Sequence, residues 1–565
     1  MAVLDVDMYT ERANLAPASD AEIRRLDAWR GWVLCATVVL CPVAYSFHVM
    51  SFLHPKELVL STGLCVVASL VLARGRWTWA GVGAFLPLWV LVLWASVVHL
   101  VLGVAQVPSY AAIELDRVAL LLLAPALSFD LLRRPRWRRR VMTALVLSGV
   151  PVAALGLLQY ANLILFMFPV FPGYHQRAYS VFGNQDLFGQ YLAVCSALAI
   201  IGLFRGRRLD KICLVSLPIL LGGLLISGSR SAWLGAAGGL LPALAYAPRR
   251  PLRLGVLVAA TVAVGAATVY SAPEATLHRF TGSMKDTDVG FRVREWIWHG
   301  SVLMAREHPI VGVGPGNFCY WSPRYLGAAL HAPCGDQLYR NELFAVHAES
   351  EPLELLCEGG IVGAALLLWM LARVLRRCGP EWAGLAALLA TSLFGFPLHS
   401  APNALAGLLL AGILLARGRP AVEGRGALAL PMAAYPLAVL FVWAVFVPSA
   451  LLRSAEDAHL AHEPSQHLYE RAVRWPWPSP QAHAHYAFAL SDYGELQRAV
   501  EQLQLALRGL DTGDLYYALG ALATQTGDYK TAEQQLRECL YRWPSKGAAQ
   551  ELYDFSRKML QHQGR

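Results

Sequence analysis

Four arginines, a histidine and a glutamate stand where an apolar chain ordinarily carries no charge. Arg230 lies between two apolar stretches in Ile226-Ser227-Gly228-Ser229-Arg230-Ser231-Ala232-Trp233. Arg177 opens Arg177-Ala178-Tyr179-Ser180-Val181-Phe182-Gly183-Asn184-Gln185-Asp186, a segment too polar to span a bilayer and too apolar for an ordinary loop. Arg292 and Arg294 fall in Gly290-Phe291-Arg292-Val293-Arg294-Glu295-Trp296-Ile297-Trp298, and His347 and Glu349 in Val346-His347-Ala348-Glu349-Ser350-Glu351-Pro352. Guanidinium groups keep their charge and clasp phosphate oxygens in a bidentate way. A histidine beside carboxylates at a water–membrane boundary can take a proton near neutral pH. Ionisable groups at membrane depth are costly and tend to be functional. The set points to an anion held by arginines with a proton acceptor beside it. Plainer readings stand next to it: an interfacial anchor for Arg230, an interfacial turn for Arg177, helix capping for Glu349 and Glu351 ahead of Pro352, and a surface histidine for His347.

Other motifs carry less. His308-Pro309-Ile310-Val311-Gly312-Val313-Gly314-Pro315-Gly316-Asn317-Phe318 is glycine-rich but lacks the Gly-Lys-Ser/Thr ending of a phosphate loop, which argues against nucleotide binding. Residues 292–305 read as an amphipathic helix with Trp296 and Trp298 near lipid headgroups. Asp286-Thr287-Asp288 looks like a metal-binding Asp-x-Asp pair, yet in so polar a loop a solvated pair is the expectation. The ten cysteines show no ligand-spaced cluster, so no structural metal is expected. Cys319 and Cys334 share one loop, where a disulfide is compatible with an oxidising compartment.

The elements that position these residues are membrane helices. Hydrophobic residues make up 56% of the 565-residue chain and charged residues 15%, well below the soluble norm of about 25%. That argues against a soluble enzyme, a disordered scaffold and a nucleic-acid binder. About thirteen apolar segments can be drawn: 32–50, 57–74, 78–103, 109–131, 141–160, 187–205, 210–228, 231–247, 253–271, 352–373, 382–397, 403–416 and 431–451. Basic residues follow every even-numbered segment, among them Arg74, Arg133, Arg134, Lys211, Arg376, Arg377 and Arg417. By the positive-inside rule the polar N-terminal segment 1–29 is cytoplasmic, while loop 272–351 and region 455–565 lie on the outer face. The expected fold class is all-α: a polytopic transmembrane bundle of about 12–13 spans with a large outer loop and a C-terminal helical repeat domain.

Residues 481–545 repeat weakly near a period of 34, with Gly494 and Gly527 in equivalent places, and resemble tetratricopeptide repeats. So few repeats need support, so packing on the membrane domain is expected. Region 455–565 is either a capping appendage or a docking surface for a partner protein or a glycan.

Taken in order, Arg177…Asn184, Ser229-Arg230, Arg294-x3-Trp298…Pro309-x2-Gly312-Val313-Gly314, a His-acid segment and Glu358-x-Gly360-Ile361-x-Gly363 resemble the O-antigen ligase and polymerase superfamily of membrane glycan transferases over about residues 30–450. The resemblance implies a glycan-transferase domain at 30–451. It would take a glycan from an undecaprenyl-diphosphate carrier at the outer face of the bacterial inner membrane and pass it to lipid A–core, another glycan or a protein. Inverting displacement is implied, with no cofactor and no obligatory metal. Arg230 and Arg294 match the family's key arginines, with Arg292 a nearby alternative and Arg177 a further diphosphate ligand. Counting back from Glu358, the family's His-Asn pair falls on Glu349-Ser350, and the histidine stands two residues earlier. Either His347 keeps the role of base, which is favoured, or Glu349 has taken it. A transporter or lipid-carrier flippase is disfavoured by the lack of convincing inverted halves. A non-catalytic scaffold is disfavoured because an anchor needs no ordered arginines on one face.

Overall fold

The structure, a computed structural model, describes residues 19–75, 77–161, 163–164, 177–204, 208–245, 289–333, 335, 338, 344–418, 429–477 and 479–563. Helices make up the fold, and no strand runs through the described residues. Their boundaries follow local chemistry. Helix α1 (Asp20–Val43) starts at a capping box, in which Ser19 and Glu22 satisfy each other's backbone amides. It therefore begins well before the apolar segment predicted from residue 32. Helix α2 (His54–Arg74) stops at Gly75, which is left-handed. Prolines open α4 (Pro108–Leu132) and α5 (Pro135–Tyr160), where a missing amide costs nothing. Between α2 and α4 lies α3 (Leu86–Ala95), which continues as a π turn. The chain goes on through α6 (Gln185–Phe204), α7 (Arg208–Ile226) and α8 (Arg230–Ala245).

Six helical stretches are long and apolar enough to cross a membrane, and four apolar helices are shorter. Every predicted segment coincides with a helix except 253–271, which lies outside the described residues. The protein is all-α and multi-pass. Helix α6 is central, with 94% of its apolar window buried by its neighbours. Beside it, α8 packs tightly on α12 (Trp382–Ser392). A methyl group on Gly235 would meet Thr391 at 2.2 Å, and one on Gly239 would meet the Ala383 carbonyl at 2.7 Å. Small residues four apart let these backbones close up.

At one end of the bundle, Arg30, Arg74 and Arg134 converge on two carboxylates. Arg134 lies 2.7 Å from Asp27, and Arg74 lies 2.9 Å from Asp130. Arg30 contacts both acids, at 3.1 and 2.5 Å. Arg74 and Arg134 are among the basic residues that set the expected orientation, and they share this end with Arg30. Helix α5 starts beside Arg134 and runs about 39 Å at 1.5 Å per residue. At its far end, Gln159 accepts from the Tyr179 amide at 3.0 Å, next to the Arg177 segment.

On that far side stands a second, smaller core. Helix α9 (Val289–Glu307) packs on α10 (Phe318–Leu330). Trp296 is its centre, 1% exposed, with its indole donating to the Leu326 carbonyl at 2.9 Å. The headgroup position expected for Trp296 is thus corrected: α10 covers the face of α9 that was assigned to lipid. Helix α11 (Glu351–Leu375) is kinked at Gly360, where φ is 57°. The glycine-rich turn fits into this kink. Val313 donates to Cys357 at 2.9 Å, Gly314 to Glu358 at 3.0 Å, and Ile361 to Pro309 at 2.9 Å. A side chain at Gly360 would meet the Ile310 carbonyl at 2.3 Å. The turn is a brace that fixes the outer loop on α11.

After α13 (Ala401–Ala416) and the bent pair α14 (Ala429–Phe441) and α15 (Val447–Leu460), the chain continues as short paired helices. These are α16 (Gln466–Val473), α17 (Pro480–Asp492), α18 (Leu496–Leu507), α19 (Gly513–Gln525), α20 (Tyr529–Arg542) and α21 (Gly547–Gln563). They pack on the loop 272–351 and on the bundle: Tyr541 stacks on His331, just after α10, at 5.0 Å, and Tyr110 at the start of α4 donates to the Gly509 carbonyl at 3.0 Å.

Candidate active site

Arg177, Arg230, Arg294, His347 and Glu349 come together around one cavity of about 420 Å³, although 172 residues separate the first from the last. Asn184, Asp186, Gly228 and Phe396 complete much of its wall. Arg292, the nearby alternative, is not among the lining residues.

Each side chain is carried by a helix end or a docked loop. Arg177 precedes a short turn and lies over the α7–α8 connection, where its Nε donates to the Ser227 carbonyl at 2.8 Å and the next amide donates to Ile226 at 3.1 Å. Arg230 is the first residue of α8. Asn184 caps α6, accepting from the Asp186 and Leu187 amides at 2.8 and 3.1 Å. The cap sets Asp186 beneath two of the arginines: Arg177 Nη2 donates to one oxygen at 3.2 Å and Arg294 Nη2 to the other at 3.0 Å. Arg294 Nε also donates to Glu349 Oε2 at 3.3 Å.

The electrostatics suit an anionic visitor. Burial and the nearness of Arg294 and Arg230 push the Arg177 pKa down, relieved only in part by Asp186. Guanidinium groups stay charged regardless, so such crowding is relieved by binding negative charge. Burial pushes Glu349 up to about 7, against the pull of Arg294. Glu349 also has a left-handed backbone with φ 53°, rare for a side-chain-bearing residue and of a kind concentrated at functional sites.

His347 is fixed from behind. Its Nδ1 lies 2.8 Å from Glu354 Oε1, and the second Glu354 oxygen accepts from the Ala348 amide at 3.0 Å. Its ring stacks on Phe396 at 4.5 Å. With Nδ1 bonded to a carboxylate, a neutral ring would carry its proton there and leave Nε2 as an acceptor. His347, Glu354 and His399 also offer ligand atoms within 4.8 Å of one another, close enough to enclose a cation. Those atoms already contact each other, with His399 Nε2 at 3.3 Å from the same Glu354 oxygen.

Residues 215–368 match the family model described as O-antigen ligase. The chain carries an O-antigen ligase family domain. The matched stretch contains Arg230, Arg294, His347 and Glu349, and also the brace and the kink it fits. A search of curated proteins found no match. Together with the six long apolar helices, the family sets this ligase-family domain in a multi-pass membrane protein of O-antigen or related glycan assembly.

Sequence reasoning missed Asp186 as an organiser, and it missed Glu354 and His399 behind His347. Glu354 could have been found as a carboxylate one helical turn before Glu358. His399 could have been found as an ionisable residue between two apolar segments. Asp286, Asp288 and Cys334 lie outside the described residues; Cys319 is in the first turn of α10, where its thiol donates to the Gly316 carbonyl at 3.4 Å.

Proposed function

We propose that the protein transfers a glycan from an undecaprenyl-diphosphate carrier to an acceptor hydroxyl at the periplasmic face of the bacterial inner membrane, in the manner of an O-antigen ligase. The supporting observation is the single cavity that joins three arginines to a carboxylate-anchored histidine. Arg177, Arg230 and Arg294 bind the diphosphate. The acceptor oxygen attacks the anomeric carbon while His347 Nε2 takes its proton, and the bond from that carbon to the phosphate oxygen breaks with its electron pair. The arginines stabilise the charge that develops on the departing diphosphate, where most of the catalytic help lies. Attack opposite the leaving group inverts the anomeric centre, and the arginines fill the charge-neutralising role without a metal.

His347 rather than Glu349 is the base in this reading, because the Glu349 carboxylate is engaged with Arg294. Glu349 instead adjusts the positive charge offered to the diphosphate. Residues 30–451 form the transferase domain with its outer loop 272–351, residues 1–29 are cytoplasmic, and 455–565 form a periplasmic tetratricopeptide-like domain.

A deletion strain complemented with wild type, Arg294→Ala or His347→Ala tests the function. Loss of polymer from lipid A–core, with long carrier-linked chains accumulating, supports a ligase. Single carrier-linked repeat units accumulating would make it a polymerase, and unglycosylated protein a protein O-glycosyltransferase. Unchanged glycans in both variants would contradict glycan transfer at this site.

A further inference from the structure

A second cavity lies away from the transfer site, where the last apolar helix meets the C-terminal helices. It holds about 540 Å³ between α15 and α16. Val447 and Leu451 line it from α15, and Arg471, Arg474 and Trp475 line it from α16 and the residues that follow.

The depth of this cavity follows from the helix that carries it. Helix α14 runs through a π turn, Val442–Phe446, into α15 as one apolar stretch. The 18 residues from Ala429 to Val447 rise about 27 Å at 1.5 Å each. A hydrocarbon core is ~30 Å thick. Val447 and Leu451 therefore stand where hydrocarbon gives way to headgroups. The segment after α16 is pinned at the same height. The Val447 amide goes to Val442, and Pro448 has no amide, so neither supplies the Trp443 carbonyl. The Trp475 indole donates to that carbonyl at 2.8 Å. Trp477 packs on Trp443 as well, with ring centres 5.6 Å apart. Indole rings collect at the boundary between lipid and water.

Positive charge meets this boundary. Arg471 and Arg474 are three residues apart at the end of α16, and both are exposed. Glu470, the acid among the lining residues, is already shared. Arg474 lies 3.3 Å from it and Arg498 3.2 Å, and the Tyr486 hydroxyl donates to it at 3.3 Å. The two arginines thus leave net positive charge beside an apolar wall.

We propose that this cavity seats the headgroup phosphate of an anionic phospholipid. Arg471 and Arg474 hold the phosphate oxygens, and the acyl chains run past Val447 along the last apolar helix. Guanidinium groups suit phosphate because they bind it in a bidentate way. A choline or ethanolamine headgroup would bring its own cation beside the two arginines, so a headgroup with net negative charge is selected. The bound lipid ties α16, the first of the paired helices, to the bilayer and fixes the height at which those helices stand. It takes no part in the transfer chemistry.

The test uses the full-length protein in nanodiscs that contain phosphatidylglycerol with a photoreactive headgroup, and the cross-linked peptides are mapped by mass spectrometry. Label should appear on residues 447–451 or 467–475. Unlabelled phosphatidylglycerol should compete it away, and phosphatidylcholine should not. In Arg471→Gln with Arg474→Gln the label should fall at least about fivefold. The charge-keeping pair Arg471→Lys with Arg474→Lys should retain most of it. The proposal is overturned if these segments take no label, if the glutamine variant is labelled like wild type, or if the lysine variant loses label equally. Equal competition by phosphatidylcholine would reduce the site to an ordinary lipid contact. Displacement by inorganic phosphate would give it to a free anion instead.

Discussion

The bundle carries two clusters of three arginines, one at each end of α5, and they are built differently. At the Arg134 end, Arg30 and Asp27 are 1% and 3% exposed, Asp130 is 18% and Arg134 45% exposed, and the three arginines close on two carboxylates. At the other end, Arg177, Arg294, Asp186 and Glu349 are each about a fifth exposed and line an open cavity. The first cluster joins the ends of α1, α2, α4 and α5. The second holds its arginines apart on a carboxylate platform and leaves their crowding to be relieved by something that arrives. Charge at membrane depth can thus be a fastening or a site, and the difference lies in whether the network closes on itself.

Substitutions should separate the two. Arg294→Ala or Arg230→Ala should cut transfer by about 10²–10³-fold, the loss expected for one stabilising donor, with membrane abundance unchanged on immunoblots. Arg30→Ala should act the other way round. It removes the guanidinium that bridges the two carboxylates, which keep Arg134 and Arg74, so the cost stays below the about 3–5 kcal/mol of breaking a buried pair outright. Detergent-solubilised protein should melt earlier and be less abundant, while activity per folded molecule is kept. If Arg30→Ala lost activity at full abundance, the contrast would collapse.

Gly360→Ala should rank next. A left-handed backbone costs about 1–3 kcal/mol for a residue with a side chain, and the brace carbonyl occupies the space a methyl needs. Thermal unfolding should fall and the outer loop should become protease-sensitive before the bundle does.

Glu349 gives a smaller, pH-dependent effect. Burial lifts its folded pKa from the ordinary 4.5 to about 7, so the folded state binds the extra proton between those values. Its contribution to stability is present at low pH and is lost as pH rises through that window. The melting temperature should decline more between pH 5 and pH 8 in wild type than in Glu349→Gln. Pyrophosphate should bind several-fold tighter at pH 6 than at pH 8, and the substitution should flatten that dependence. The smallest effect is expected from Tyr541→Ala, which removes one exposed stacking contact with His331. A loss below about 1 kcal/mol in docking of the C-terminal helices would be read as faster proteolysis after Leu460.

Much of this was legible in the residues. Apolar runs, prolines at helix starts and alternating basic exits gave the helices and the shared end of Arg30, Arg74 and Arg134. Arg177, Arg230, Arg294, His347 and Glu349 stood out because charge is scarce in such a chain. Their convergence was not legible, because it depends on how α6, α8, α9 and the loop before α11 pack. Asp186 reads as an ordinary first-turn acid until two guanidinium groups are seen above it. His399 lies 52 residues from His347, and only a clamp on Leu398, from Arg117 and Glu351, brings the rings together. Trp296 went wrong for a related reason: periodicity shows that a helix has an apolar face, but not whether lipid or α10 covers it.

The most direct test of the central claim is binding of undecaprenyl diphosphate to the full-length protein in nanodiscs, compared among wild type, Arg230→Ala with Arg294→Ala, and Arg30→Lys. The account predicts that the double variant loses at least about tenfold in affinity, roughly 1.4 kcal/mol, and that Arg30→Lys binds like wild type. Equal affinity in all three would contradict a diphosphate site in the outer cavity.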